Sequence, residues 1–274
     1  MINIINSLLN TLFDILLFPF HNLHSSFWPI LFISFLTGIV MLSIFKKVSN
    51  QQKIHQVKNN IKAYLLELRL YNDDIGLSLS AVSKVFTANL LYFLQVVKPL
   101  LFLFIPVSLI LIQIGSRYGS RPLKINEATV VSVTVKDNIH LQKISLSDSG
   151  GISIETDPVR IPAQNKIYWR IKGFKKGIWH VHCIYDTVKI TKRIVIDTHT
   201  KLIAGSRKNK YSISAFLNPG EKTLPDNQFL KEIHIDYPEK PVEVAGLHIH
   251  WLVLFFILSI VFGFAFKGFL GVEI

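Results

Sequence analysis

Cysteine is almost missing. Cys183 is the single thiol in 274 residues, so no internal disulfide can form, and any part folding outside the cell does so without covalent staples. Carboxylates are few, 18 Asp and Glu against 30 Lys and Arg, which leaves a net charge of +12. No Lys or Arg precedes the apolar start of the chain and no small-residue cleavage site follows it, so the first twenty or so residues are not read as a cleavable export signal. No paired carboxylates, nucleophile–base–acid trio or glycine-rich phosphate loop stands out. Gly150-Gly151 reads as a hairpin turn with no helix behind it. The expectation is a protein that is not an enzyme and holds no cofactor.

Long apolar runs are what the chain does have. Phe27–Phe45 is 19 residues without a charge, Pro99–Ile114 is a second uncharged run that extends back to Leu90 past Lys98 alone, and Trp251–Phe266 is a third. About 20 apolar residues at 1.5 Å rise cross a hydrocarbon layer of ~30 Å. The expected fold class is therefore an α-helical membrane protein with three transmembrane helices, 27–45, 90–115 and 248–267. A cytoplasmic helical hairpin at 46–89, an extracytoplasmic antiparallel β-sandwich of immunoglobulin-like type at 117–246 and a cytoplasmic tail at 268–274 complete it. The net charge divides as −1 for 1–45, +5 for 46–98, +8 for 116–246 and 0 for the remainder. In this setting the basic excess points to anionic lipid headgroups or an acidic protein, and DNA is not an expected partner.

At the N-terminus Asn3, Asn6, Asn10 and Asp14 recur at helical spacing, with Ile5, Leu8, Leu9, Leu12, Leu16 and Leu17 on the other side until Pro19. That pattern predicts an interfacial amphipathic helix within 1–22 rather than a span, because Asp14 is costly in hydrocarbon. In the arm, Ile54, Val57, Ile61, Tyr64 and Leu68 form one a/d stripe. After the turn Asn72-Asp73-Asp74-Ile75-Gly76, Leu79, Val82, Phe86, Leu90 and Phe93 form another. Facing stripes predict a self-packed hairpin, whose tip or flank also offers a docking arm for a ribosome, a translocation channel or a client. Lys46, Lys47, Lys53, Lys58 and Lys62 close behind the first span place the arm in the cytoplasm and the N-terminus outside. Arg117, Arg121 and Lys124 on the opposite flank run against that rule. Trp28, Lys46, Lys47, Lys98, Trp251 and Lys267 are the expected interface anchors.

Residues 129–135, 152–156, 167–171, 178–184, 188–196 and 233–237 alternate with β-branched residues, divided by turn chemistry. Trp169, Phe174, Trp179 and Tyr185 are candidate core aromatics. His180 and His182 share one strand face, with Cys183 on the other. Without convergent thiolate or acidic partners they are weak candidates for a metal, and none is expected. Ser259 and Gly263 stand at small-xxx-small spacing, which favours close packing of the last helix on another.

The stretch from Leu8 to Ile114 resembles the core of the YidC-type membrane protein insertase family and its relatives, including the membrane subunit of the endoplasmic reticulum insertion complex. The shared order is interfacial helix, first span, cytoplasmic hairpin, second span. Ile33-Ser34-Phe35-Leu36-Thr37-Gly38-Ile39 looks like the first core span, Lys53–Arg69 like the charged hairpin helix, and Lys98-Pro99 like the entry to the next span. Bacterial members carry an arginine in the first core span; Thr37-Gly38 stands there in this chain. They also have more spans after the hairpin, and those with a β-domain place it ahead of the core. The resemblance implies assistance in insertion, folding or assembly of other membrane proteins from a bacterial inner membrane. Its partners would be lipids and nascent chains, with Ser34, Thr37, Ser108 and Gln113 as polar candidates for a groove. The competing reading of those four is helix–helix hydrogen bonding. The competing reading of the protein is a structural subunit of an envelope or transport complex that binds a periplasmic partner through its β-domain.

Overall fold

The structure, a computed structural model, describes residues 2–21, 23, 25–71, 73–137, 139–198, 200, 202–209, 217–225 and 229–272. Met1 and Asn22 of the expected interfacial segment, Asn72 of the expected turn and Glu273 and Ile274 of the expected tail lie outside them. The chain divides into two compact units: Met1–Ser26 with Leu111–Trp251, and Phe27–Ile110 with Leu252–Ile274.

The second unit is helical. Helix α2 (Phe27–Val48) is followed by α3 (Gln51–Leu70), α4 (Ile75–Tyr118) and, after the β unit, α5 (Trp251–Lys267). Asn50 starts α3 by accepting a hydrogen bond from the Lys53 amide at 3.0 Å, and Asp74 starts α4 by accepting one from Leu77 at 3.0 Å. On α3 the inward stripe is the one the spacing predicts. Ile54 is fully buried, and Val57, Ile61, Tyr64 and Leu68 are half-buried among exposed neighbours. On α4 the stripe is displaced by one position, and by two at Ala88 against Leu90. Ser78, Ala81, Val85, Ala88 and Tyr92 turn inward, while Leu79, Val82, Phe86, Leu90 and Phe93 are exposed. Small side chains let two helix backbones approach, whereas a row of Leu and Phe would hold them apart. Across the hairpin Lys84 pairs with Glu67 at 2.7 Å and lies over the Tyr64 ring.

No break separates the arm from the following apolar run. α4 is one helix of 44 residues, with Pro99 and Pro106 inside it. Each proline deprives a carbonyl one turn earlier, on Gln95 and Phe102, of its helical donor. α5 packs on α2 through small residues. Ser34 donates to the Phe255 carbonyl at 3.4 Å, and a Cβ at Gly38 would lie 3.1 Å from Phe262 Cβ and 3.2 Å from the Gly263 nitrogen. Residues 268–272 of the expected tail turn back onto α2: Lys46 donates to the Leu270 carbonyl at 2.7 Å, and Val272 joins Leu42, Phe45 and Ile54 in one apolar cluster. Among the described residues three helical segments are long and apolar enough to cross a membrane: Asn3–Phe20, Phe27–Val48 and Ile75–Tyr118. Trp251–Lys267, within the span expected at 248–267, is apolar but has 17 residues, whereas the first segment, expected as interfacial, is long and apolar enough to cross.

The other unit carries helix α1 (Ile2–Leu17) and the strands. These are β1 (Ala128–Val135), β2 (Ile144–Asp148), β3 (Ile152–Ile154), β4 (Val159–Ile161), β5 (Lys166–Gly173), β6 (Gly177–Tyr185), β7 (Val188–Ile196), β8 (Ser206–Lys208) and β9 (Leu230–Ile235), then the pair β10 (Val242–Val244) and β11 (Leu247–Ile249). The larger sheet runs β3-β5-β1-β9-β8 with β4 also on β5, the smaller runs β2-β6-β7, and every pairing between named strands is antiparallel. Alternate residues Val131, Val133, Val135, Ile167, Trp169 and Ile171 of one sheet meet Val181, Cys183, Ile190, Ile194 and Ile196 of the other in a single core. Each such side chain contributes roughly 1.5–3 kcal/mol by leaving water.

Three expectations need correction here. Phe174 is exposed rather than in the core. Asp148–Gly151 does not close a hairpin, because β2 pairs with β6 and β3 with β5, so that turn passes the chain from one sheet to the other. The last strand and helix also meet later than expected, since Leu247–Ile249 is strand and α5 begins at Trp251. The two-residue turn between β6 and β7 places Asp186 at φ 49°, the left-handed region that Asp tolerates.

Gly151 has no room for a side chain, as a Cβ there would stand 2.1 Å from Trp179 Cδ2. Gly151→Ala should displace the indole and cost roughly 1–3 kcal/mol, read as a lower melting temperature of the β unit and altered tryptophan fluorescence.

Candidate functional site

The polar candidates divide between the two units. Ser34 and Thr37 are buried on α2, where Ser34 is hydrogen-bonded to α5 and Gly38 beside Thr37 meets Ser259, Phe262 and Gly263. Their surroundings are a helix–helix seam. Ser108 is half-buried on α4. Gln113 belongs to the other unit, where it is fully buried in a cluster that the residue spacing anticipates only in part.

That cluster is built around Arg117, in the last turn of α4, whose side chain is 5% exposed. Its guanidinium donates to Asp14 Oδ1 at 2.8 Å, to the Asn10 carbonyl at 3.1 Å and to the Gln113 side-chain oxygen. It also lies over the Phe13 ring, 5.7 Å from its centroid. Gln113 in turn donates to Asn10 Oδ1 at 3.1 Å. Asn10 donates to the Pro219 carbonyl at 3.0 Å, and Asn3 exchanges hydrogen bonds with Thr223 at 3.2 and 3.3 Å. The polar row of α1 is thus turned toward the end of α4 and the 217–225 loop. Phe13 and Leu17 are buried on that same side, so Leu17 does not join the free apolar face. Ile4, Leu8, Leu12 and Ile15 remain exposed. The Asn3–Asn6–Asn10–Asp14 spacing carries the signal for half of this clamp; the other half, Arg117, reads in sequence only as a flanking charge.

The 217–225 loop is itself tied to β7. Lys192 is fully buried, pairs with Glu221 and donates to the Ala204 carbonyl at 2.6 Å. Glu221 also accepts the Arg193 amide at 2.8 Å. Burial lowers the Lys192 pKa while Glu221 opposes that shift. Arg121 is neutralised in its turn by a two-pronged contact to Glu127 at 2.7 and 2.8 Å. Hydrogen bonding to Arg121, above all, holds the Glu127 carboxyl at about 2.

Of the anchor candidates, Trp28, Lys47 and Lys98 are exposed, and Lys46 is exposed with its ammonium on the Leu270 carbonyl. Trp251 lies against Gly115 and Gly119 within its own unit, and Lys267 stands over the Phe264 ring. His180 and His182 share the outer face of β6 as expected, and Cys183 points into the core, where burial pushes its thiol up to about 12. His182 Nδ1 is 3.1 Å from Thr191 Oγ1, and desolvation, the largest influence, lowers its pKa. Among the described residues no three His, Cys, Asp or Glu side chains converge as a metal site. No family model, curated protein or solved structure matches this chain.

Arg117→Ala removes the hub, and removal of one partner of a buried ion pair costs about 3 kcal/mol or more; amide hydrogen exchange along α1 should accelerate at least tenfold, with β1 and β7 unchanged. The Arg121–Glu127 pair has a folded carboxyl pKa below its unfolded value of 4.5. Its stabilisation is therefore complete above about 4.5 and is lost as pH falls toward about 2. Glu127→Gln should flatten the acid limb of the unfolding curve across that window and leave the limb near neutrality parallel to the parent's.

Proposed function

We propose that this chain is a membrane-embedded, non-catalytic helper of the insertase type, assisting insertion, folding or assembly of other membrane proteins in a bacterial inner membrane. In this reading α1 and the β unit lie outside, with the two sheets forming an immunoglobulin-like sandwich, while the hairpin arm and the C-terminus lie inside. Pairing of Arg117 with Asp14 and of Arg121 with Glu127 supports that orientation, because it cancels the outer-side charges that run against the positive-inside rule. The free apolar face of α1, opposite its clamped polar row, suits the lipid interface.

One observation carries the functional reading. On the single helix α4, exposed Lys98 and the clamped Gln113 are fifteen residues apart, about 22 Å at 1.5 Å per residue. A hydrocarbon layer is ~30 Å thick. α5, at 17 residues, is short as well. Short apolar segments held by polar ends thin the bilayer around them, which lowers the cost of carrying a polar flank across. A second reading, an anchoring subunit of an envelope complex, draws support from the Lys192–Glu221 and Asn10–Pro219 contacts, which make α1 and the 217–225 loop a fixed mount for the β unit.

A photo-reactive residue at Ser108, together with Lys98→Leu, separates the two. The insertase-type reading expects cross-links from Ser108 to many nascent membrane proteins, and a several-fold fall in insertion when Lys98→Leu lengthens the apolar run. Unchanged insertion in a depleted strain, with cross-links only from the β unit to one stable partner, supports the anchoring subunit instead.

A further inference from the structure

We infer that α4 pairs along its outer face with α4 of a second copy of this chain, in parallel and in register. The inner seam of the arm is already filled by α3, yet Leu79, Val82, Phe86, Leu90 and Phe93 stand 49–73% exposed. The row does not stop at the apolar run, since Leu101 and Phe104 continue it at 67% and 71% exposure. Leu79, Leu90 and Leu101 are spaced by eleven residues, and so are Val82, Phe93 and Phe104. An eleven-residue repeat is 3.67 residues per turn, close to the natural period of a straight helix. The row therefore holds one face of α4 from the arm into the apolar run instead of winding around it.

That geometry restricts the occupant. Lipid covers Leu101 and Phe104 but not Leu79, Val82 and Phe86, which precede the apolar run that begins at Leu90. α4 is one helix, and Leu79 stands about 30 Å before Pro99 at 1.5 Å per residue. A lone apolar segment in transit lies in one phase at a time and leaves part of the row bare. A partner must be a helix that crosses the membrane and continues well beyond it with the same face apolar. A second α4 has those properties at the same depth, because two copies enter the bilayer in the same sense. A two-fold axis along the membrane normal then sets each residue of the row against its own counterpart. Charge permits this. Between Leu79 and Phe104 the only charged side chains are Lys84 and Lys98; Glu67 on the same hairpin neutralises Lys84 at 2.7 Å, so like charges do not oppose each other along the arm part of the seam. The pairing does not depend on the insertase-type reading, and its test does not read insertion.

Single cysteines in the full-length chain, oxidised in intact membranes, test it; Cys183 is buried in the β core and supplies little background. Phe86→Cys and Phe93→Cys should give disulfide-linked homodimers at least ten times more efficiently than Thr87→Cys, on a different face of the same turn, or Ala88→Cys on the inner seam. Equal yields at all four positions, no homodimer at the two Phe positions, or a mixed disulfide from Phe86→Cys to a different protein would each overturn the proposal. The double variant Phe86→Glu/Leu90→Glu provides an independent arm. Two differently tagged copies should cease to co-purify in mild detergent while helix content is unchanged, and co-purification that persists refutes the seam.

Discussion

Lipid offers no hydrogen bonds to a bare peptide group, so a chain that enters it must satisfy its backbone internally. The apolar run of α4 has its backbone satisfied within a single helix that does not end where the run begins. α4 keeps its backbone ladder from Ile75 to Tyr118, interrupted only by the missing donors of Pro99 and Pro106. Arm and apolar run are consequently one helix, and a side chain's place on the arm bears on which way its counterparts eleven residues on will face. The outward apolar row and the inner small-residue seam both follow from that continuity.

The end of α4 is held by polar chemistry rather than apolar packing alone. A buried guanidinium is tolerable only when its donors are matched, and Asp14, the Asn10 carbonyl and Gln113 match them. Asn10 passes the connection to Pro219, and Glu221 in the same loop takes the buried ammonium of Lys192. Two buried cations, each with its own carboxylate, thus join α1, the end of α4 and β7 through short loops. A row of asparagines on an otherwise apolar helix, unexplained by propensity, acquires a reason.

Legibility differed by element. The α3 stripe was readable because Ile54, Val57, Ile61, Tyr64 and Leu68 keep an unbroken 3-4 spacing and all turn inward, although Leu65, Leu66 and Leu70 are large and exposed. On α4 pattern and packing disagree: the eye goes to Leu79, Val82, Phe86, Leu90 and Phe93, while the partner helix chooses Ser78, Ala81, Val85 and Ala88 for their size. The longer strands were visible as alternating β-branched runs, but three-residue strands such as β4, β8 and β11 carry too few positions to show a period. Phe174 was misplaced because an aromatic at a turn has no alternation to say which side it takes. Ser34 and Thr37 were legible as polar exceptions in an apolar helix; that α5 is the helix they meet depends on contacts more than 200 residues away in sequence.

Composition and local order by themselves determined that this chain has helices apolar enough for a membrane, a basic helical hairpin between two of them and an antiparallel β module after the second. Those features rest on run length, periodicity and turn residues, all of which act between near neighbours. Which face of α4 turns inward, that Arg117 meets Asp14 and that Lys192 meets Glu221 were decided only by tertiary structure. A buried charge has no energetic meaning until its partner is placed, and the sizes of side chains decide a seam only when two helices are brought together.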